Sequence, residues 1–181
     1  MVYIILGKGF EEIEAIAPCD ILRRGGVSVS FAAVGNDRAV TGGHGITLLA
    51  DVLVSEADIA SAEAIMVPGG MGGVETIMAD KTAMKFIAQA AKAGVLLTAI
   101  CAGPSVLAKL DLIDGRDITC YPGTENRMGR ANCQTEKPVI SESGLITARA
   151  PGSSVDFGLA LLARLKDEKS AEKVRKALVV Y

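Results

Sequence analysis

The chain alternates short apolar runs with longer segments in which apolar residues recur every three or four positions. The short runs have the length of strands and lie at residues 2–6, 27–34, 46–49, 64–67, 95–100, 117–120, 139–141 and 145–148. The last two flank Glu142-Ser143-Gly144, which predicts a hairpin. The longer segments predict helices at residues 11–24, 82–92, 153–165 and 171–179, with a further helix beginning at residue 105.

Two of the predicted helices carry signals at their ends. Residues 11–24 begin with two glutamates and end with two arginines, an order that complements the helix dipole. Pro18 lies inside this segment and predicts a kink. Ser153 or Ser154 is expected to cap the next-to-last helix, with Asp156 in its first turn.

Strands that alternate with amphipathic helices predict an α/β protein with a mostly parallel sheet covered on both faces. Ligands of such sheets bind beyond the carboxyl ends of the strands. Three unusual turns follow strand ends, at residues 7–14, 68–73 and 101–104. The length of 181 residues and the absence of a linker or repeat predict a single domain over residues 1–181.

Composition narrows the range of partners. Half of the residues are apolar and only 4% are aromatic, so the core must be built mainly from Ala, Val, Ile and Leu. A net charge of −2 without a basic block argues against nucleic acid as the main partner. No signal peptide or membrane-spanning stretch is recognisable in the sequence, which predicts a cytoplasmic protein with no membrane partner.

The cysteines and the histidine are too sparse for a metal centre of the usual kind. The four cysteines, at positions 19, 101, 120 and 133, show no CxxC spacing, and His44 is the one histidine. In a reducing compartment the cysteines are expected to be free thiols. The sequence therefore predicts neither a zinc site nor any other metal site.

Residues 95–110, VLLTAICAGPSVLAKL, end a predicted strand on Cys101 and continue at once with Ala-Gly-Pro. This order is typical of a nucleophile elbow, where a strand turns sharply into a helix and the side chain at the turn stands clear of the sheet. Pro104 suits the first helical turn, and the start of that helix is expected to favour the thiolate. A cysteine that only fills the core is the alternative, and the spacing leaves both interpretations open.

An elbow nucleophile needs N–H groups that stabilise charge on a substrate oxygen. The N–H of Ala102, directly after the thiol, is one candidate. The N–H of Gly70 is the second, because Pro68-Gly69-Gly70 ends a neighbouring buried strand. An ordinary tight turn is the alternative interpretation of these glycines.

The thiol also needs a base or a hydrogen-bonding partner. In the acidic run that follows the first strand, Glu11 and Glu12 are expected to complement the helix dipole. Glu14 lies near the apolar face and is expected to point inward, with a raised pKa that keeps it protonated. His44 stands between two glycines and is expected at the surface or an interface, without a catalytic role.

Four stretches together resemble the ThiJ/PfpI superfamily, and most closely its Parkinson-disease-protein branch, whose members are also called protein deglycases. They are residues 5–14 (ILGKGFEEIE), 67–70 (VPGG), 99–104 (AICAGP) and 149–154 (RAPGSS). The resemblance covers almost the whole chain. It implies a flavodoxin-like three-layer α/β/α sandwich, a homodimer and an activity that needs no cofactor.

The resemblance also implies roles for four residues. Cys101 matches the family's nucleophilic, easily oxidised cysteine, and Glu14 matches the glutamate that hydrogen-bonds it. Gly70 and Ala102 match the amides of the oxyanion site. Activities across the family include glyoxalase action on methylglyoxal and glyoxal, removal of early glyoxal adducts from proteins, chaperone-like holding and redox sensing under oxidative stress.

Two positions depart from the family pattern. Tyr121 takes the place of a histidine that some relatives have near the thiol, which argues against protease activity. His44 stands where relatives have an arginine near the dimer contact. The sequence thus predicts a cysteine-dependent glyoxalase or deglycase acting on α-oxoaldehydes or glycated proteins. The alternatives are a redox sensor or holdase whose Cys101 is oxidised to sulfinate, and a purely structural module.

Overall fold

The computed structural model describes residues 1–180, which contain eleven strands and six helices. The strands are β1 (Val2–Leu6), β2 (Val29–Ala33), β3 (Ala39–Thr41), β4 (Thr47–Leu49), β5 (Val52–Leu53), β6 (Ala64–Val67), β7 (Leu96–Ile100), β8 (Asp117–Ile118), β9 (Asn132–Cys133), β10 (Val139–Glu142) and β11 (Leu145–Ala148). The helices are α1 (Glu12–Arg24), α2 (Met71–Ala79), α3 (Lys81–Lys92), α4 (Pro104–Ala108), α5 (Ser154–Leu165) and α6 (Glu168–Ala177).

Seven strands form the central sheet, in the order β10-β11-β7-β6-β1-β2-β5. Every neighbouring pair is parallel except β10 and β11, which form the predicted antiparallel hairpin. Helix α1 packs against α5 and α5 against α6, whereas α2 contacts α3 and α4. The fold is therefore a flavodoxin-like three-layer α/β/α sandwich with a mostly parallel sheet, as predicted.

The four central strands are buried along their whole length, because helices cover both faces of the sheet. Every residue of β1, β6, β7 and β11 is buried. A strand buried on both sides has no polar face, which is why these segments are nearly continuous apolar runs in the sequence. Within residues 1–180, none of the helices has the length and apolar character needed to cross a membrane.

The three turns singled out in the sequence lie side by side. They follow β1, β6 and β7, which are neighbouring parallel strands, so the carboxyl ends of the three strands meet at one edge of the sheet. Gly70 ends the middle turn with a φ of 82°, and a Cβ there would lie 2.5 Å from the Gly9 carbonyl oxygen. A glycine is thus required where the turns after β1 and β6 pack backbone against backbone.

Some elements differ from the prediction where the local pattern was weak. Helix α2 was missed because its second and third residues are glycines, which indicated a turn. Residues 46–49 do form a strand over Thr47–Leu49, but it pairs with β3 outside the central sheet. Residues 117–120 shorten to β8, which pairs only with β9. Strands of two or three residues are too short to show a period, so β3, β5 and β9 were not predicted.

The expected serine cap of α5 is wrong. Ser153 occupies the capping position without a side-chain hydrogen bond to the helix. The Ser154 hydroxyl is buried and has no hydrogen-bond partner among residues 1–180. The 3₁₀ turn at Pro151–Ser153 leads directly into the helix and holds Ser153 near ψ 2°, instead of the extended backbone that a capping serine adopts.

Candidate active site

Cys101 follows β7 directly and stands at the turn between this strand and α4. Its φ is 64°, in the left-handed region that costs a non-glycine residue about 1–2 kcal/mol. The Cys101 N–H donates to the Ala148 carbonyl at 2.9 Å, and the Cys101 carbonyl accepts from the Tyr121 N–H at 3.0 Å. The surrounding backbone therefore imposes the sharp turn that the elbow interpretation requires.

Glu14 points inward from the first turn of α1 and is fully buried. The Glu11 side chain caps the helix by accepting the Glu14 N–H at 2.8 Å, which fixes the start of α1. The Glu14 Oε2 atom accepts the Gly69 N–H at 2.7 Å. Its other oxygen, Oε1, makes no well-aligned hydrogen bond to any of residues 1–180. One carboxyl oxygen is thus held and the other is available.

Gly69 allows the carboxyl group and the thiol to meet. A Cβ at this position would lie 2.5 Å from Glu14 Oε2, 2.7 Å from Cys101 Cβ and 3.0 Å from Cys101 Sγ. No side chain fits in this space, because contacts under 3.0 Å do not occur at real Cβ atoms. The Cys101 thiol and the Glu14 carboxyl therefore interact directly across a glycine backbone.

Burial raises the pKa of Glu14 to about 7, well above the ordinary value of a glutamate. Hydrogen bonds from Cys101 and Gly69 act in the opposite direction, and the nearby charge of Glu11 adds to the increase. Near neutral pH the carboxyl group is present in both its protonated and its ionised form. A group in this condition can both accept and return a proton.

The pKa of the Cys101 thiol is raised, contrary to the expectation that the start of α4 would favour the thiolate. Burial is the largest cause, and the charge of an ionised Glu14 and its hydrogen bond to the thiol add to it. The N–H groups of Ala102 and Gly70 lower the pKa but do not compensate. Helix α4 has only five residues, so its dipole lowers the thiol pKa by less than burial raises it.

The structure brings together the four residues that the sequence singled out. The N–H groups of Ala102 and Gly70 both face the Cys101 sulfur, one from the elbow itself and one from the turn after β6. Glu14 reaches the same sulfur from α1. Two amide donors and one carboxyl group thus surround a thiol that retains 9% exposure.

His44 and Glu12 form a separate contact beside this site. His44 Nδ1 lies 2.8 Å from Glu12 Oε2, and the His44 N–H donates to Glu12 Oε1 at 2.7 Å. The histidine side chain is 74% exposed, which agrees with its expected surface position. Glu12 is buried and holds the loop between β3 and β4, a role beyond the dipole complementation expected for it.

Sequence reasoning did not assign a part to Gly69 or to the anchors of the elbow. The signal for Gly69 was present in Pro68-Gly69-Gly70, since two glycines after a buried strand indicate a close backbone approach. The Ala148 and Tyr121 anchors are backbone groups on distant segments, and no side-chain pattern reports them. All four cysteines are free thiols within residues 1–180, as predicted.

The chain matches a known protein family over most of its length. The model of the DJ-1/PfpI family matches residues 1–164. The chain therefore belongs to the DJ-1/PfpI family.

Curated relatives differ in how much of their own length this chain covers. Protein DJ-1 homolog B of Arabidopsis thaliana is 33% identical over 180 residues, which are 99% of this chain but only 41% of the plant protein. Protein dj-1beta of Drosophila melanogaster is 30% identical over 178 residues, which are 98% of this chain and 95% of the fly protein. YraA of Bacillus subtilis, named as a candidate cysteine protease, is 29% identical over 165 residues, 90% of this chain and 96% of that protein.

Solved structures of similar proteins share the fold over nearly the whole chain. Drosophila melanogaster DJ-1beta superposes with a TM-score of 0.94 at 29% identity, covering 99% of this chain and 97% of the other. Oxidized Toxoplasma gondii DJ-1 superposes with a TM-score of 0.92 at 29% identity, covering 99% and 98%.

Proposed function

We propose that this protein is a cysteine-dependent, cofactor-free enzyme of the glyoxalase or deglycase type. Its substrates are α-oxoaldehydes such as methylglyoxal and glyoxal, or their early adducts on proteins. The observation that carries the proposal is that the buried Glu14 carboxyl and the Cys101 thiol meet at Gly69, where no side chain separates them. A nucleophile and a proton carrier that work at the same carbon atoms are what this isomerisation requires.

The first step is addition of Cys101 to the aldehyde carbon. Because the thiol is protonated at rest, ionised Glu14 takes its proton while the sulfur–carbon bond forms. The aldehyde oxygen becomes an oxyanion that the N–H groups of Ala102 and Gly70 stabilise. Glu14 then gives the proton to this oxygen, which leaves a neutral hemithioacetal and an ionised carboxylate.

The second step moves a proton between two carbon atoms of the adduct. Glu14 takes the proton from the former aldehyde carbon and delivers it to the neighbouring carbonyl carbon. The hydroxyl proton of the hemithioacetal passes to the oxygen of that neighbouring carbon, so the first oxygen becomes the thioester carbonyl and the second becomes a hydroxyl group. The first carbon is oxidised and the second is reduced, so no external oxidant or cofactor is needed. The product is a thioester of Cys101, and water releases it as a 2-hydroxy acid while the thiol is restored.

A Cys101→Ala variant tests this mechanism most simply. Formation of lactate from methylglyoxal should fall to the uncatalysed rate, because the covalent adduct cannot form. Cys19→Ala is the matched control, since Cys19 is also a buried thiol but lies within α1. Lactate formation that survives in Cys101→Ala, or that is lost equally in Cys19→Ala, would contradict the proposal.

Redox sensing or holdase activity is the second candidate function. One similar structure is described as oxidized Toxoplasma gondii DJ-1. In this chain the N–H groups of Ala102 and Gly70 could also stabilise the oxygens of a Cys101 sulfinate. A sensor should form no lactate, and mass spectrometry after mild peroxide treatment should find Cys101 oxidised first. Even oxidation of all four cysteines would count against sensing.

We also propose that the active form is a homodimer. Four large apolar side chains are exposed on α1 and the β3–β4 hairpin, the two elements that the Glu12–His44 contact joins: Ile13 (55%), Ile16 (38%), Ile46 (52%) and Leu49 (77%). An exposed apolar patch of this kind is typical of a protein–protein interface. Light scattering that finds only monomer at micromolar concentration would contradict this proposal.

A further inference from the structure

Cys120 and Cys133 form a second pair of thiols, at one end of the small β8–β9 sheet. In the parallel register Ile118 lies opposite Cys133, and Cys120 follows Ile118 by two residues. Side chains two positions apart on an extended chain point to the same side, so Cys120 lies diagonally across from Cys133. Each thiol acts on the pKa of the other, so the two sulfur atoms lie within interaction range.

The two thiols differ in their access to water. Cys120 is completely buried, whereas Cys133 is partly exposed. Burial raises the pKa of Cys120 to about 12 and also raises that of Cys133, but the interaction with Cys120 lowers the pKa of Cys133. Cys133 is therefore the first of the two to ionise and the first to meet a dissolved oxidant.

We propose that Cys120 and Cys133 are a redox-active dithiol, which a hydroperoxide converts into a disulfide. The Cys133 thiolate attacks one oxygen of the hydroperoxide, and the other oxygen leaves with a proton as an alcohol or water. Cys133 is then a sulfenic acid. The Cys120 sulfur attacks this sulfur, a sulfur–sulfur bond forms, and the hydroxyl group leaves as water with the Cys120 proton.

The two strands differ in how firmly they are held. Strand β8 contacts β10 and β11, and the Thr119 N–H next to Cys120 donates to Thr147 Oγ1 at 2.9 Å. Strand β9 pairs with β8 and begins with the exposed Asn132. The movement that brings the sulfur atoms to bonding distance, about 2.05 Å, therefore falls on the Cys133 side.

The dithiol adjoins the elbow of the candidate active site. Tyr121, the residue after Cys120, donates its N–H to the Cys101 carbonyl at 3.0 Å. The proposed disulfide therefore forms one residue away from a hydrogen bond that holds the Cys101 turn. The proposal does not depend on the proposed enzymatic function, because the disulfide forms whether or not Cys101 is a catalyst.

The test treats the protein with mild hydrogen peroxide, blocks free thiols, and digests it with trypsin without reduction. Mass spectrometry should find the Cys120 peptide linked to the Cys133 peptide with a loss of two hydrogen atoms, in the wild type and in the Cys101→Ser and Cys19→Ser variants. Both single variants, Cys120→Ser and Cys133→Ser, should lose this linkage. In Cys120→Ser, the sulfenic acid at Cys133 should persist and be trapped by dimedone.

Other patterns of oxidation would overturn the proposal. These are Cys133 found as sulfinic acid in the wild type with no linked peptide, or a link from Cys133 to Cys101 instead of Cys120. Equal dimedone labelling of Cys133 in the wild type and in Cys120→Ser would also overturn it, because Cys120 would then not resolve the sulfenic acid. Circular dichroism of each serine variant checks that the fold is intact.

Discussion

Cys19 and Cys101 are both buried thiols, yet only one of them has the surroundings of a nucleophile. Cys19 is 4% exposed and Cys101 9%, so burial hardly separates them. Burial raises the pKa of both, to about 11 for Cys19. The difference lies in the backbone: Cys19 is in the middle of α1, whereas Cys101 stands at a left-handed turn.

The neighbours of the two thiols complete the contrast. The charged side chains that act on the pKa of Cys19 are Arg23, Asp51 and Asp20. No backbone N–H group contributes to this pKa shift within residues 1–180. Cys101 has two backbone N–H groups and the Glu14 carboxyl at its sulfur. Core filling, the alternative that the sequence left open for Cys101, describes Cys19 instead. A thiol is thus marked as a nucleophile by the donors and the proton carrier beside it.

The largest expected effect comes from removing the proton carrier without changing the thiol. Glu14→Gln keeps the size of the side chain but cannot take or return a proton, so the rate of lactate formation should fall by about 10²–10⁴. Steady-state kinetics with methylglyoxal measures this loss, with Glu63→Gln as the control because Glu63 lies on the surface. Equal rates in the wild type and Glu14→Gln would place the proton transfer on another group.

A smaller effect sharpens the contrast in backbone conformation. The Cys101→Gly variant should have a free energy of unfolding about 1 kcal/mol higher than the Cys101→Ala variant, because φ at this position is 64° and only alanine has a Cβ. At position 19 the order should reverse, with glycine less stable by about 1 kcal/mol in the helix interior. Urea unfolding of the four variants gives both differences. If the alanine variant is the more stable one at both positions, Cys101 is not strained in solution.

Much of the site followed from the sequence because it depends on the ends of strands. Three buried apolar runs predicted neighbouring parallel strands, and the turns after them carry Glu14, Gly70 and Cys101. Strands of this type bring their carboxyl ends together, so turns far apart in sequence could be expected to meet. The inward direction of Glu14 follows from helical spacing after a short turn.

The remainder depends on tertiary surroundings that no local pattern reports. The raised pKa of Cys101 results from burial by many segments, whereas the sequence showed only the helix that begins after it. The β8–β9 sheet joins two pairs of residues, and a strand of two residues has no period to detect. Helix α2 begins with Met-Gly-Gly, and its formation depends on packing against the turn after β1.

The central claim is that Cys101 and Glu14 exchange a proton near neutral pH. Carbon-13 NMR titration of the Glu14 carboxyl, assigned by its absence in Glu14→Gln, tests it most directly. The carboxyl should titrate near pH 7, and Cys101→Ala should raise its midpoint because the thiol lowers the pKa of Glu14. Titration near the ordinary value of 4.5, with the same midpoint in Cys101→Ala, would contradict the claim.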